Sequence, residues 1–170
     1  MYKRQVKNSK KSFDGTIKFA IQLYDNLIVE AVLIPSNKRV TACVSSQVGC
    51  SLDCNFCATS KIKKMRNLES YEIFDQIMLL NKESINHFSS QITNIVFMGM
   101  GEPLLNYKNV IESIDQITSD FGIGISYKKI TVSTSGISKM IKKMADDNVK
   151  FNLAISLHTA LEKTRNKVMP

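Results

Sequence analysis

No stretch of this sequence is apolar for long enough to span a bilayer, so no helical membrane span is expected within these residues. Tryptophan is absent altogether. No secretory segment is visible, so the four cysteines are expected to be working thiols of a cytoplasmic chain and not disulfide staples. What remains is a soluble composition of single-domain size, with 170 residues of which 44% are hydrophobic and 22% charged. The formal net charge is +8 and the pI near 9.3. The basic excess gathers at Lys3, Arg4, Lys7, Lys10 and Lys11, and again at Lys61, Lys63, Lys64 and Arg66. Such clusters suit a phosphate backbone, and equally a solvated basic surface. Neither cluster is interleaved with aromatics, so stacking on bases is not indicated there.

Among the residues that are present, Cys50, Cys54 and Cys57 carry the most chemistry. Their spacing, Cys-x3-Cys-x2-Cys, lets one loop wrap a metal centre, but it supplies three thiolates where a closed zinc site takes four. An iron–sulfur cube held by three cysteines keeps one iron open to a small molecule. Cys43, seven positions upstream, is the alternative fourth ligand of a zinc site, although that step is not a usual zinc spacing.

The rest of the chain reads as an α/β fold. Residues 1–12 are polar and basic and are expected to be a disordered start. Residues 13–38 read as a β-hairpin, with strands from Gly15 to Tyr24 and from Leu27 to Pro35 around an Asp25-Asn26 turn. From residue 39 to 170 strands and helices alternate. Strands are expected at Arg39–Ser45, Ile92–Met98, Lys129–Thr134 and Lys150–Leu157. Between them lie helices from a Ser70 cap to His87, from Tyr107 to Asp120 and from Ile137 to Asp147, with a further helix opening after Thr159. That alternation predicts about four parallel βα units, with strands apolar enough to be covered on both faces. In such sheets functional groups collect at the carboxyl ends of the strands. There fall the cysteine loop, Gly101-Glu102, Ser133 to Gly136, and Ser156 to His158, which together predict one pocket. Four parallel strands neither close a barrel nor cover their last edge, so the chain is expected to be a truncated piece of a larger protein.

Several runs are specific enough to carry a family resemblance. Cys43-Val-Ser-Ser-Gln-Val-Gly-Cys50 with Cys54 and Cys57, Arg66-Asn-Leu, Met98-Gly-Met-Gly-Glu-Pro-Leu-Leu-Asn106, Ser133-Thr-Ser-Gly136 and Ser156-Leu-His158 resemble the radical S-adenosylmethionine (SAM) adenine-C2 RNA methyltransferases of the RlmN family. The resemblance runs from about Asp14 to Pro170 and implies the amino-terminal part of a partial (βα) barrel. It implies a 4Fe-4S cluster on Cys50, Cys54 and Cys57, with SAM on the open iron. It implies SAM contacts at Gly101, Glu102, Ser133, Ser156, Leu157 and His158, and a proton-accepting role for Glu30.

In the family a methyl group is first placed on a cysteine near the carboxyl end, and a radical formed on it adds to carbon 2 of adenine. Cys43 matches a second cysteine that takes the ring proton and resolves the protein–RNA link by forming a disulfide. The substrates implied are 23S rRNA and tRNA, with a flavodoxin-like electron donor and no membrane partner. All four cysteines here are already assigned, so no methyl-carrying cysteine is present and the chain alone is expected to be inactive. Other readings stay open: a carbon 8 rRNA methyltransferase or an activase of the same superfamily, or a non-enzymatic zinc or RNA-binding module.

Overall fold

A computed structural model describes residues 5–170. Its frame is a seven-stranded sheet. Strands β1 (Gln5–Lys11), β2 (Ile17–Gln22), β3 (Ile28–Ser36) and β4 (Arg39–Cys43) follow one another as antiparallel neighbours. The order then continues through β7 (Asn94–Phe97), β8 (Ile130–Thr134) and β9 (Asn152–Ile155), all parallel to β4. Two short strands, β5 (Gln47–Val48) and β6 (Arg66–Asn67), pair only with each other. Helices α1 (Ser70–Phe88), α2 (Tyr107–Thr118) and α3 (Ser138–Asp146) link the parallel strands, and α4 (Glu162–Val168) follows β9. The four βα units and the hairpin are thus as the sequence predicts. The hairpin turn puts Asn26 at φ 67°, a left-handed value that asparagine tolerates better than most residues.

Three expectations need correction. The polar start is not disordered from residue 5 onward: Gln5–Lys11 pairs with β2 as a mostly exposed edge strand. Backbone hydrogen bonding to a preformed hairpin needs no apolar pattern, and lysines suit an edge that must not recruit another chain. Lys3 and Arg4 lie outside the described residues. Second, α1 is capped by Glu69 and not Ser70, through a reciprocal capping box with Glu72, and Met78 on its expected apolar face is exposed. Third, the sheet is covered on one face only among the described residues. Burial alternates along β2, β3, β7 and β8, so Phe19, Ile21, Leu33, Ile95, Phe97 and Val132 pack under the helices with Ile73, Ile77, Leu80 and Ile114. The opposite face carries the alternate residues, among them Glu30, Val32, Cys43, Val96 and Ser133.

One charged knot ties the hairpin to the helical layer. Arg66 donates from Nε to Asp25 (2.7 Å) and, in a bidentate fork, from Nη1 and Nη2 to Glu72 (2.7 and 2.9 Å). Its guanidinium lies 5.3 Å from the centre of the Tyr24 ring. Arg66 therefore leaves the basic cluster predicted around it, whereas Lys61 and Lys63 stay exposed. Glu72 is fully buried, so its charge needs this partner. Arg66 also holds the Asp25 carboxyl below its ordinary value, mainly through their hydrogen bond.

Replacing Arg66 by alanine should cost about 3–5 kcal/mol in urea unfolding, because it strands a buried carboxylate. Asp25, whose folded pKa is depressed, adds stability above its unfolded value near 3.8 and loses it as pH falls through the folded value. That acid-side loss should disappear from the Arg66→Ala stability profile. A variant as stable as the wild type at neutral pH would remove the knot from the fold's main supports.

Candidate functional site

The cysteine loop is an excursion from β4 closed at its neck. Gln47 and Val48 pair with Asn67 and Arg66, and the Met65 N–H donates to the Val48 carbonyl (2.8 Å). Gly49 stands at φ +75° where an added Cβ would lie 2.4 Å from the Lys63 carbonyl oxygen, so the two arms meet only because this residue is glycine. Inside the loop, the Cys57 N–H donates to the Cys54 carbonyl (3.0 Å), and the Ser60 hydroxyl spans the carbonyls of Cys54 (2.9 Å) and Cys57 (2.7 Å). A short 3₁₀ turn, Ala58–Lys61, ends the wrap.

Above the end of β7 the segment Gly99-Met100-Gly101-Glu102 passes so close to this neck that side chains are excluded. A Cβ on Gly99 would sit 2.7 Å from Ser45 Oγ and the Val44 carbonyl oxygen, and one on Gly101 2.4 Å from Gln47 Cβ. Gln47 accepts from the Glu102 N–H (2.9 Å) and donates to Asn67 (2.8 Å). The buried Asn106 amide donates to the carbonyls of Ser46 (2.8 Å) and Leu68 (2.7 Å), fixing both arms of the neck at once. Glu102 is buried, and its carboxylate accepts from the N–H groups of Leu104 (3.0 Å) and Ser135 (2.8 Å). It therefore ties the end of β8 to the glycine loop before it meets any ligand.

These segments enclose a cavity of about 250 Å³. Its walls include Cys50, Cys54 and Cys57, together with Gly101, Glu102, Ser133 and Ser156. Seven of the predicted site residues are thus brought together, and four are not. Leu157 is exposed, and His158, at φ +54°, lies on the rim with its ring centre 3.9 Å from that of Phe56. Cys43 is buried in β4 and sits off the cavity wall. Glu30 sits on β3, where its side chain pairs with Lys18 (2.6 Å) and both remain about half exposed. Glu30 and Cys43 nevertheless share the sheet face away from the helices, since Val32 is the cross-strand partner of Cys43 and Glu30 is two residues from it. The Glu30 N–H also reaches Met100 Sδ (3.3 Å), and its carbonyl accepts from the Ser45 hydroxyl (2.6 Å).

Burial pushes the Cys43 thiol up to about 11, against a smaller lowering from the Met98 backbone. Burial also raises the Cys54 thiol, with further raising from the neighbouring Cys50, Cys57 and Glu102 and a lowering from Arg165. Arg165 and Met169 are participants that the sequence did not disclose, since a single arginine in a polar helix carries no motif of its own, whereas Gln47 and Phe56 lie inside the cysteine-loop run without an expected role.

Cys50, Cys54 and Cys57 reach the cavity from one loop, a donor set that suits an iron–sulfur cube with one iron left open. Among the described residues no three His, Cys, Asp or Glu side chains converge on one point as a preformed single-ion site would. All four cysteines are free thiols. A larger cleft of about 540 Å³ between α2 and α3, lined by Tyr107, Tyr127 and Asp147, holds no thiol and lies apart from these residues.

Residues 44–170 match the Radical SAM superfamily. A probable dual-specificity RNA methyltransferase RlmN of Flavobacterium psychrophilum is 64% identical over 166 residues, covering 98% of this chain and 48% of its own length. A protein of the same name from Chlorobaculum tepidum is 52% identical over 156 residues, covering 91% of this chain and 42% of its own. The chain thus spans about half the length of the curated relatives it matches. The crystal structure of a radical SAM methyltransferase from Sphaerobacter thermophilus superposes with a TM-score of 0.92 at 34% identity, over 99% of this chain and 49% of that one. With the sequence match covering three of the four cysteines and the parallel strands β7, β8 and β9, this chain belongs to the radical SAM superfamily.

Proposed function

We propose that this chain is the cluster- and SAM-binding part of an RlmN-type enzyme that methylates carbon 2 of adenine in 23S rRNA and tRNA. One observation carries the reading: three thiols on a necked loop open onto the same cavity as Gly101, Glu102, Ser133 and Ser156 at successive strand ends. Cys50, Cys54 and Cys57 would hold a 4Fe-4S cluster there, which, with an external donor such as a flavodoxin, would supply the electron for reductive cleavage of SAM. The backbone of Gly99 and Gly101 lines the cavity while their Cβ sides face the neck, and the hydroxyls of Ser133 and Ser156 offer polar contacts to an amino acid and a ribose. Leu157 and His158 take part from the rim.

Cys43 and Glu30 are assigned to the substrate side of the same sheet face. A buried neutral thiol gives up its proton only when a base or a cation is brought beside it. Glu30 stands one diagonal step away across the β3–β4 pair, about 7–8 Å between backbones. To act as proton acceptor it must exchange its Lys18 partner for substrate. The names of the relatives, and the Met98–Asn106 and Ser133–Gly136 runs, support the adenine-C2 chemistry over the carbon 8 or activase readings.

Cys50→Ala, Cys54→Ala and Cys57→Ala should each abolish the brown iron–sulfur absorbance after anaerobic reconstitution, whereas Cys43→Ala should retain full iron and sulfide. Loss of iron in the Cys43 variant, or one zinc per chain without sulfide, would overturn the cluster reading. Mass spectrometry of rRNA and tRNA treated with the full-length protein, SAM and a reductant should then show 2-methyladenosine. Only 8-methyladenosine, or no RNA product, would refute the substrate proposal.

The Cys43 thiol has a folded value raised from 9.0 to about 11, so the folded chain holds its proton more tightly than the unfolded one. Its contribution is complete below the unfolded value and is lost as pH rises through the folded one. Wild-type thermal stability should therefore fall across this interval relative to Cys43→Ala. Parallel curves for the two proteins would show that the thiol is not held neutral by burial.

A further inference from the structure

Helix α4 lies where the cysteine loop and the ends of β8 and β9 come together, and it grips both. On one side Arg165 Nη1 donates to the carbonyls of Ser156 (2.8 Å) and Leu157 (2.6 Å), and Nη2 donates to the carbonyl of Ser135. On the other, the carbonyl of Val168 accepts from the Asn55 N–H (3.0 Å), and that of Lys167 accepts from the Asn55 side-chain amide. Asn55 is the residue after Cys54. Ser135 and Ser156 are both cavity walls, and Met169, just past α4, is another.

The chemistry of this grip is specific to arginine. Three carbonyl oxygens from two adjacent strand ends point at one place, and their dipoles repel unless a donor with several N–H groups sits among them. A planar guanidinium satisfies all three with charge-assisted bonds, whereas an ammonium is a point charge with no fork. Gly136 gives it room: at φ +109°, a Cβ there would lie 3.3 Å from Arg165 Nη2. The same bonds hold an unfavourable backbone in place. His158 is at φ +54°, a left-handed conformation that a residue with a Cβ adopts at a cost, and the Leu157 carbonyl before it is pinned by Arg165 and by the Thr159 N–H (2.6 Å).

We propose that Arg165 is a positioning residue for SAM: it fixes Ser135, Ser156 and Leu157 in their binding conformation and, through α4 and Asn55, sets that wall against the cysteine loop. This role rests on the reading of the cavity as a SAM site. Arg165 itself is not among the residues that line the cavity. Its effect is on the distance between the wall that holds the ligand and the loop that holds the metal.

Arg165→Gln and Arg165→Lys, reconstituted beside the wild type, test this with three readouts: iron and sulfide per chain, the SAM dissociation constant by equilibrium dialysis, and amide hydrogen exchange. Both variants should keep wild-type iron. Arg165→Gln should bind SAM at least about 10-fold more weakly, and Arg165→Lys should not restore it, because one ammonium cannot bridge both strand ends. Amides of residues 135–136 and 156–159, and that of Asn55, should exchange faster in both. Wild-type SAM affinity in Arg165→Lys, or in a folded Arg165→Gln, overturns the positioning role while leaving the SAM site intact. A wild-type protein that carries iron but binds no SAM overturns the ligand reading instead, and the positioning role with it. If Arg165→Gln does not fold, the lysine variant decides the matter alone.

Discussion

The structure depends on keeping a loop of three thiols open and in register with a parallel sheet. A loop that carries metal ligands gains nothing from its own packing until the metal arrives, and its ordering costs conformational entropy at every residue. Here the neck meets that cost. Gln47 and Val48 pair with Asn67 and Arg66, Asn106 bonds both arms, and Arg66 anchors the far arm to buried Glu72 and to Asp25 in the hairpin. The antiparallel strands β2 and β3 thus do more than extend the parallel sheet. Through Asp25 they fix the base of the cysteine loop, and through the Glu30 backbone they reach buried Ser45 and Met100.

The same economy governs the glycine-rich segment after β7. Its glycines serve close backbone approach: at Gly99 and Gly101 any Cβ would collide with Ser45 or Gln47. Glu102 is then committed by two backbone N–H groups, one from its own turn and one from Ser135. Each carboxylate oxygen keeps a second acceptor site, so the residue can hold two strand ends together and still accept from an ammonium group. Glu102 and Gln47, both in segments that leave the strand ends, therefore couple the ends of β4, β7 and β8. Arg165 extends the coupling to β9.

Half-coverage of the sheet also has a functional side. One face is sealed by α1, α2 and α3 over an apolar layer, and the other carries Glu30, Cys43 and Ser133. A polar inner face cannot be predicted from strands as apolar as Asn94–Phe97, because a four-residue strand flanked by core on one side reads much like one flanked on both. Cys43 shows the consequence. Its burial makes it a poor thiolate in this state, so whatever acid–base work it does requires a partner delivered to that face.

By itself the sequence determined the order of elements, the hairpin turn, the parallel βα succession and the grouping of Cys50, Cys54 and Cys57 on one loop. Each of these is written in short-range signals: alternation, caps, Gly and Asn turns, and a Cys-x3-Cys-x2-Cys spacing that only one loop can use. Tertiary structure decided what lies between them. It turned Gln5–Lys11 from a basic tail into an edge strand, moved the cap of α1 to Glu69, and took Arg66 out of a phosphate-binding cluster into an ion pair. It set Leu157, His158, Glu30 and Cys43 outside the wall that Ser156, Gly101 and the three cluster cysteines share, and it brought in Arg165 from a helix with no motif. The physical reason is common to all of these. A lone polar or charged residue has no local pattern, and its role is set by which partner the folded chain places within hydrogen-bonding distance.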